Sequence, residues 1–557
     1  MDNRQNPQKL LDLLTKIFAK NSMKKHIQYA LISAIILFIA WPPIPYTSLL
    51  LLIGFFPLLV AIENINKSDT KQKGRKVFIT AGLTFLLWNT ASIYWIWNAS
   101  PEGSIVAYVL GALLMTFSFF CYHKLKNITK PIVADIALLG FWISYEYLHQ
   151  SWDLNFPWMT LGNGFASSPQ FIQWYEYTGV YGGSLWILGS NILLFNIWKQ
   201  LKNSEKQQKN TFKLLAGLAC WVLIPIGFST LTYMNYEEEN NPAHVVVVQP
   251  NIDPYAKYES YTTNQQLDHL IALSTKAAKV STEFIIWPET AIPEYVNEDY
   301  IRQGNIFYRL QQFMQPYANA TLITGAETYL TYQNPKTKTA KFNAQSNEYW
   351  DSFNTAVAIE NSAKVQFYHK SKLVPGVEKM PFINALSFLK PVFAKFGGTT
   401  GGYGYQDEPS VLFSQSGIGV APVICYESIW GNWVAGYVKK EAQFIAIITN
   451  DGWWGNTSGK DQHLHYARLR AVETRRWVAR SANTGISGFI NQRGDLVQQT
   501  SWWQPAVITQ DINLNSELTF YVKHPDIIVY PFLLIGIFGL LYLLTQKIRN
   551  KVAKPSA

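Results

Sequence analysis

Three side chains in this 557-residue chain have the types that a thiol nucleophile needs. Cys425 ends an apolar run in GVAPVICYES and is followed at once by Tyr426 and Glu427. The other two cysteines, Cys121 and Cys220, lie inside membrane-length apolar stretches, so no disulfide partner for Cys425 is evident. Upstream, Glu289 stands in EFIIWPETAIPE and Lys370 in VQFYHKSKLVPGVEKMP. A thiol with a pKa near about 8.5 is mostly protonated at neutral pH. To attack a carbonyl it needs a base that takes its proton and a nearby cation. Glu289 is the candidate base, Lys370 the candidate cation and Cys425 the candidate nucleophile. A buried cysteine is most often a small apolar filler, and it is the ordered Glu and Lys segments that turn the argument toward catalysis. Lys372 is the nearest rival to Lys370.

These three groups need a frame, and the polar stretch around them reads as one α/β unit. Short β-branched runs at 244–249, 283–287, 321–325, 355–359, 419–424, 444–449 and 487–490 are strand candidates. Residues 267–280 and 462–482 read as helices, the latter with Arg468, Arg470, Arg475, Arg476 and Arg480 as a solvated or salt-bridged face. Glu289, Cys425 and Asn450 each fall just past a strand candidate, and Lys370 follows the run 364–368. Function in open α/β sheets gathers at such strand ends.

The rest of the chain is a different material. The full chain is 48% hydrophobic and only 15% charged, and outside the α/β unit it holds stretches long enough to span a bilayer at 46–62, 77–97, 104–122, 132–148, 174–198, 212–233 and 527–544, with a shorter one at 27–41. Lysine and arginine alternate across the connecting loops: the N-terminal tail and the loops after 62, 122 and 198 are basic, and the intervening loops carry neither residue. Counting eight spans, both termini are cytoplasmic and the stretch from about Asn235 to Pro525 is extracytoplasmic. The net charge of +10 is then an orientation signal that needs no nucleic-acid partner. The expected division is 1–233 as an N-terminal transmembrane domain of about seven spans, 234–525 as the catalytic domain, and 526–557 as a C-terminal transmembrane helix and tail. Met1 to Lys25 does not read as a cleaved signal peptide.

WPE at Trp287 to Glu289, YHKSKLVP at Tyr368 to Pro375 and CYE at Cys425 to Glu427 resemble, in that order, the Glu-Lys-Cys triad of the nitrilase (carbon–nitrogen hydrolase) superfamily. WPP near the start, FPW at Phe156 to Trp158, VQPNI at Val248 to Ile252 and NDGWWG followed by HLHYARLRAVE narrow the resemblance to bacterial apolipoprotein N-acyltransferases. It covers nearly the whole chain.

The resemblance implies a helical membrane domain joined to an α-β-β-α sandwich in the inner membrane, with the catalytic domain on the periplasmic side. It implies transfer of an acyl chain from a phospholipid, through a Cys425 thioester, to the α-amino group of diacylglyceryl-cysteine apolipoproteins, with Lys370 and the backbone N–H of Tyr426 facing the oxyanion. Glu378 and Glu427 are implied supports for the triad, and Tyr258, Trp453 and Trp454 candidate substrate contacts. Aromatic loops such as 382–396 are expected to meet the bilayer interface. Gly376-Val377 and Tyr258 depart from the family pattern. No metal-ligand spacing or nucleotide fingerprint appears, so no cofactor is expected. Nitrilase-like domains often pair, whereas the membrane part argues for a monomer. A membrane-anchored amidase-type hydrolase and a transporter or scaffold with a structural nitrilase-like domain are the alternatives.

Overall fold

The computed structural model describes residues 23–202, 208–257, 259–382 and 402–552. Its first half is a bundle of helices: α1 (Met23–Ile39), α2 (Phe56–Lys67), α3 (Lys73–Ile93), α4 (Pro101–Lys126), α5 (Pro131–His149), α6 (Tyr175–Leu201) and α7 (Gln208–Asn235). Among the described residues seven helices are long and apolar enough to cross a membrane, the seventh near the C-terminus, and α1 is a shorter apolar helix. The local chemistry of α4 shows why such a segment starts and stops where it does. The Ser100 hydroxyl accepts from the Gly103 N–H, Pro101 occupies the first turn, and His123, Lys124 and Lys126 close the last turn against the negative helix end. Its outer face presents Ile105, Val109, Leu113 and Phe117 bare. Apolar belts of this kind are untenable in water and fit a lipid-facing surface.

The second half holds two β-sheets. The first has the order β14 (Ala506–Asn513), β1 (Pro242–Gln249), β2 (Thr282–Ile286), β4 (Thr321–Tyr332), β6 (Glu348–Glu360) and β5 (Lys341–Asn343); β3 (Ile292–Asn297) pairs with β4, and β7 (Val365–His369) with β6. The second has the order β13 (Leu496–Gln499), β12 (Gly488–Ile490), β11 (Val478–Ala482), β10 (Phe444–Thr449), β9 (Gly419–Ile424) and β8 (Leu412–Phe413). The sheets face each other across one apolar layer, where Phe284 and Phe444 meet at 4.8 Å. Helices α8 (Thr263–Thr275) and α9 (Asn305–Met314) cover the outside of the first sheet. Helices α10 (Gly431–Lys439) and α11 (Ser458–Thr474) cover the second. This is an α-β-β-α sandwich. β1, β2 and β4 run parallel, as do β9, β10 and β11, so each pair needs a crossover and the strand ends gather on one side.

One expectation is corrected. Residues 462–482 are not one helix: α11 ends at Thr474, Arg475 caps it in the left-handed conformation with φ 51°, and Val478–Ala482 is a strand inside the second sheet. Of the two expectations for its arginines, the salt-bridged one holds for Arg470, Arg475 and Arg480. Arg470, Arg475, Arg476 and Arg480 are buried, with Arg470 on Glu473, Arg475 on Glu176 of α6, and Arg480 on Asp451.

The C-terminal helix α12 (Val529–Val552) returns to the bundle and packs on α5. A Cβ on Gly140 would come within 2.8 Å of the Gly536 backbone nitrogen, so only small residues permit this approach. The two halves are joined at Gln462 of α11. Its amide nitrogen donates to the carbonyls of Pro42 and Ser92, and its oxygen accepts from the Trp95 and Trp158 indoles at 3.2 and 2.7 Å.

Candidate active site

Glu289 follows β2 by three residues. The Trp287 N–H still pairs with Ile323 O, which carries the strand geometry up to Pro288. Gly325 then lets β4 pass directly beneath the glutamate: a Cβ there would lie 2.6 Å from the Glu289 Cα. Lys370 is the first residue beyond β7, and its N–H donates to the Asn354 carbonyl at 2.8 Å. Its buried ammonium donates to Glu289 Oε1 at 3.1 Å and to Glu378 Oε1 at 2.8 Å. Burial alone would lower the Lys370 pKa. The charges of Glu289 and Glu378 outweigh it and hold the amine well above its ordinary range.

Asn354, on β6, completes this group. Its Nδ2 donates to Glu289 Oε1 at 2.8 Å and to Glu378 Oε1 at 3.2 Å, while its buried Oδ1 has no hydrogen-bond partner among the described residues. Glu378 is fixed from its other side by the Val374 N–H.

Cys425 faces this cluster from the second sheet. It ends β9 and opens a short 3-10 turn, Cys425–Ile429, with φ 50°. A non-glycine residue in that left-handed region costs about 1–2 kcal/mol. The turn is held there by three sets of bonds. Glu427 accepts from the Tyr368 hydroxyl at 2.6 Å and the Ser371 N–H at 2.7 Å with Oε1, and from the Ile424 N–H at 3.0 Å with Oε2, so it stitches the Lys370 loop to the cysteine turn. Arg470 donates to the carbonyls of Ser428 and Ile429. The third set starts at Asp451, which bonds His463 Nδ1 at 2.9 Å and Arg480; the other imidazole nitrogen lies 2.9 Å from Ser428 Oγ and 3.2 Å from the Cys425 carbonyl oxygen. Burial holds His463 below the usual imidazole range, with Asp451 opposing and Arg480 adding to it.

Burial also pushes the Cys425 thiol up, the Glu289 charge pushes it further, and Lys370 pulls it back only in part. The shift favours the thiol form, so a thiol at this position would need a base to take its proton before it could act as a nucleophile.

The structure brings Glu289, Lys370, Glu378, Cys425, Tyr426 and Glu427 together. Trp454 stands apart from the carboxylates: its ring packs on Trp95 at 4.7 Å, Trp158 at 5.6 Å and His463 at 5.4 Å, at the junction with the helical half. Trp453 is exposed and meets the ring of Tyr255 edge-on. Tyr258 and residues 383–396 of the aromatic loop lie outside the described residues. Sequence reasoning missed Asn354, Asp451, His463 and Arg470. For Asn354 a signal existed, an amide between the β-branched and apolar residues of FNTAVAI.

Comparisons with known proteins identify the relatives of both halves of the chain. A carbon-nitrogen hydrolase profile matches residues 244–517, and a profile of the apolipoprotein N-acyltransferase N-terminal domain matches residues 33–193. The apolipoprotein N-acyltransferase of Chlorobaculum tepidum is 29% identical over 526 residues, covering 92% of this chain and 95% of that one. The apolipoprotein N-acyltransferase of Rickettsia typhi is 30% identical over 390 residues, covering 69% and 70%. Among solved structures, a nitrilase-superfamily amidase from Nesterenkonia aligns with 52% of this chain and 96% of its own at 14% identity, with a TM-score of 0.34. With matching profiles on both the helical and the sandwich halves, and curated relatives running nearly end to end, the chain belongs to the apolipoprotein N-acyltransferase family.

Proposed function

We propose that this protein is a periplasm-facing enzyme of the bacterial inner membrane that moves an acyl chain from a phospholipid to the N-terminal diacylglyceryl-cysteine of apolipoproteins, with Glu289, Lys370 and Cys425 as its catalytic groups. The observation that carries the reading is the seat of the nucleophile. Tyr426, Ile429 and Trp430, the residues that follow Cys425, pack within the apolar cluster of the membrane helices, whereas Cys425 itself packs against the core of the sandwich. The Tyr426 hydroxyl and Trp430 indole donate to the carbonyls of Asn155 and Gln150, in the loop after α5. A thiol at this seam is placed for an ester whose tails stay in the bilayer, where lifting each methylene into water costs about 0.8 kcal/mol.

In the first half-reaction Cys425 Sγ attacks the ester carbonyl carbon while its proton passes to Glu289. Lys370 and the Tyr426 N–H stabilise the tetrahedral oxyanion. Collapse breaks the ester C–O bond, and the lysophospholipid alkoxide leaves with the proton from Glu289. In the second half the α-amine attacks the thioester, Glu289 takes the amine proton, and the expelled sulfur recovers it as the amide forms. One site used in turn gives ping-pong kinetics.

Intact-protein mass spectrometry of purified enzyme with a defined phospholipid tests this. The expected result is a hydroxylamine-labile acyl mass on wild type, absent from Cys425→Ala, that is discharged onto a diacylglyceryl-cysteine peptide. Release of free fatty acid instead would make the enzyme a hydrolase, and an active enzyme that never carries an adduct would remove Cys425 as nucleophile.

A further inference from the structure

The face of the first sheet that looks toward the second sheet changes character along two strands. β4 and β6 are long and pair as Ile323↔Ala358, Gly325↔Ala356, Glu327↔Asn354, Tyr329↔Ser352 and Thr331↔Trp350. Alternate residues share a face, so these rungs form one surface read in order. Ile323, Ala356 and Ala358 belong to the inter-sheet core. Gly325 and Asn354 then lie beneath Glu289 and Glu378. Past that point the strands run on for further rungs that no core cluster of the described residues covers, and Tyr329, Thr331, Trp350 and Ser352 floor a groove of about 620 Å³. β5 widens it with Lys341 and Asn343, paired to Trp350 and Glu348.

We propose that this groove binds the polypeptide that follows the acylated cysteine of the acceptor, in extended conformation; the proposal rests on the reading of the site given above. Four observations point to a peptide. First, the groove's lining on β6 ends at Ser352, one rung on the same face from Asn354, which donates to the carboxylate that is to take the proton of the acceptor amine. Second, from Asn354 to Glu348 is six residues of strand, about 20 Å at about 3.4 Å per residue, which matches a peptide of about six residues laid along it. Third, the lining mixes aromatic rings with hydroxyl and amide groups. The Lys341 ammonium sits on the Trp350 ring at 4.7 Å, and Glu348 adds one negative charge to the same lining. An acyl tail calls for a wholly apolar wall and a phosphate headgroup for clustered cations, whereas a polypeptide backbone with small side chains uses rings and hydrogen bonds together.

The fourth is direction. The rim is formed by Val377, Gly402 and Tyr403, with the Tyr403 N–H on the Glu378 carbonyl and the Gly404 N–H on the Ser352 carbonyl. The loop bearing Val377 is tied to the helical half through Asp153, which accepts from the Phe382 N–H and pairs with Lys379. The groove thus starts at the membrane side and follows the β4–β6 hairpin away from it. A chain anchored in the bilayer by its first residue has to leave along such a path.

The test is a series of diacylglyceryl-cysteine acceptors carrying none to ten further residues, run on full-length enzyme preloaded as thioester. For wild type, kcat/KM is expected to rise with length up to about six residues and then level off. In Trp350→Ala/Tyr329→Ala and in Thr331→Arg, which fills the groove, KM for the ten-residue acceptor is expected to rise about tenfold. The acceptor without a peptide and the rate of thioester formation should stay within twofold of wild type, which also reports that the variants fold. A flat length series, or equal loss on both acceptors, would overturn the groove. Slower thioester formation in the variants would assign it to the donor lipid instead. Failure of wild type to form any thioester would overturn the underlying site reading, a result separable from the others because it appears before any acceptor is added.

Discussion

Asn354→Leu is expected to separate the activity of this enzyme from its stability. The amide is almost fully buried and donates to both carboxylates that flank Lys370, at 2.8 and 3.2 Å, yet its own oxygen finds no partner among the described residues. A hydrogen bond to a charged group contributes about 1.5–3 kcal/mol, and a buried polar atom left unsatisfied costs about 1–3 kcal/mol. Leucine removes both charged bonds together with the orphaned oxygen at nearly constant volume, so relief of the orphan offsets only part of the loss and the melting temperature should fall modestly. Activity has no such compensation. Without the Nδ2 donor, Glu289 Oε1 keeps only the Lys370 ammonium, and the carboxylate turns toward that cation rather than toward Cys425. Loss of about 2 kcal/mol of positioning corresponds to about a 30-fold slower formation of the acyl-enzyme, at about 1.4 kcal/mol per factor of ten.

The assay is single-turnover appearance of the acyl mass, alongside thermal unfolding of the same preparation. An acylation rate within threefold of wild type would refute the positioning role. So would a large fall in melting temperature that scaled with the loss of rate, because the residue would then be structural. Asn354→Asp sharpens the test: it sets a third carboxylate against Glu289 and Glu378, and its activity should recover in part as the pH is lowered and the added charge is neutralised.

Three further outcomes follow from the same geometry. His463→Ala removes the ring that lies between Asp451 and the Cys425 carbonyl; acyl-enzyme formation should slow about tenfold, about 1.4 kcal/mol, with KM for the phospholipid unchanged, and an unaltered rate constant would show that Arg470 and Glu427 suffice to hold the turn. Because Cys425 sits at φ 50°, Cys425→Gly should be more stable than Cys425→Ala by about 1 kcal/mol, read by thermal unfolding, with equal stability arguing against strain at the nucleophile; both variants should lack the acyl adduct. Asp451 is held well below the usual carboxylate range, its burial outweighed by Arg480 and His463. A depressed carboxylate contributes stability that is present above its unfolded pKa of about 4 and is lost as the pH falls through its folded value. Asp451→Asn should therefore be less stable than wild type at neutral pH and lose less on acidification, and parallel acid unfolding curves would contradict the assignment.

The groups that meet at the site were legible because each follows a strand whose apolar run is unmistakable: EFII before Glu289, VQFY before Lys370, GVAPVI before Cys425. Apolar length similarly marked the spans, since burial in lipid leaves few polar interruptions in the sequence. What was not legible shares one cause, a polar residue whose partner lies far away along the chain. Arg480 breaks the apolar alternation of β11 and so read as the continuation of a helix, although its carboxylate, Asp451, lies on the neighbouring strand's exit. Arg475 is paired by Glu176 of α6, from the other half of the molecule. Asn354 looked like a polar position on a half-buried strand, and only the approach of the Glu289 and Glu378 loops gives it a purpose.

That long-range pairing bears on why the thiol form of the nucleophile is favoured. A thiolate standing ready at the seam between the sandwich and the membrane helices would react with any small electrophile that reached it. Burial and the Glu289 charge instead favour the protonated form of Cys425, and the two carboxylates that hold Lys370 charged leave the cation in place for the oxyanion. Under the proposed mechanism the proton leaves sulfur as the ester carbonyl is attacked and the developing negative charge meets Lys370. In the proposed mechanism, substrates enter from the helical side, where Tyr426 and Trp430 are clamped to the loop after α5. In the proposed cycle, then, selectivity for a lipid donor arises where the residues after Cys425 meet the helical half, while the turn itself is held from within the sandwich by Glu427, Arg470 and His463.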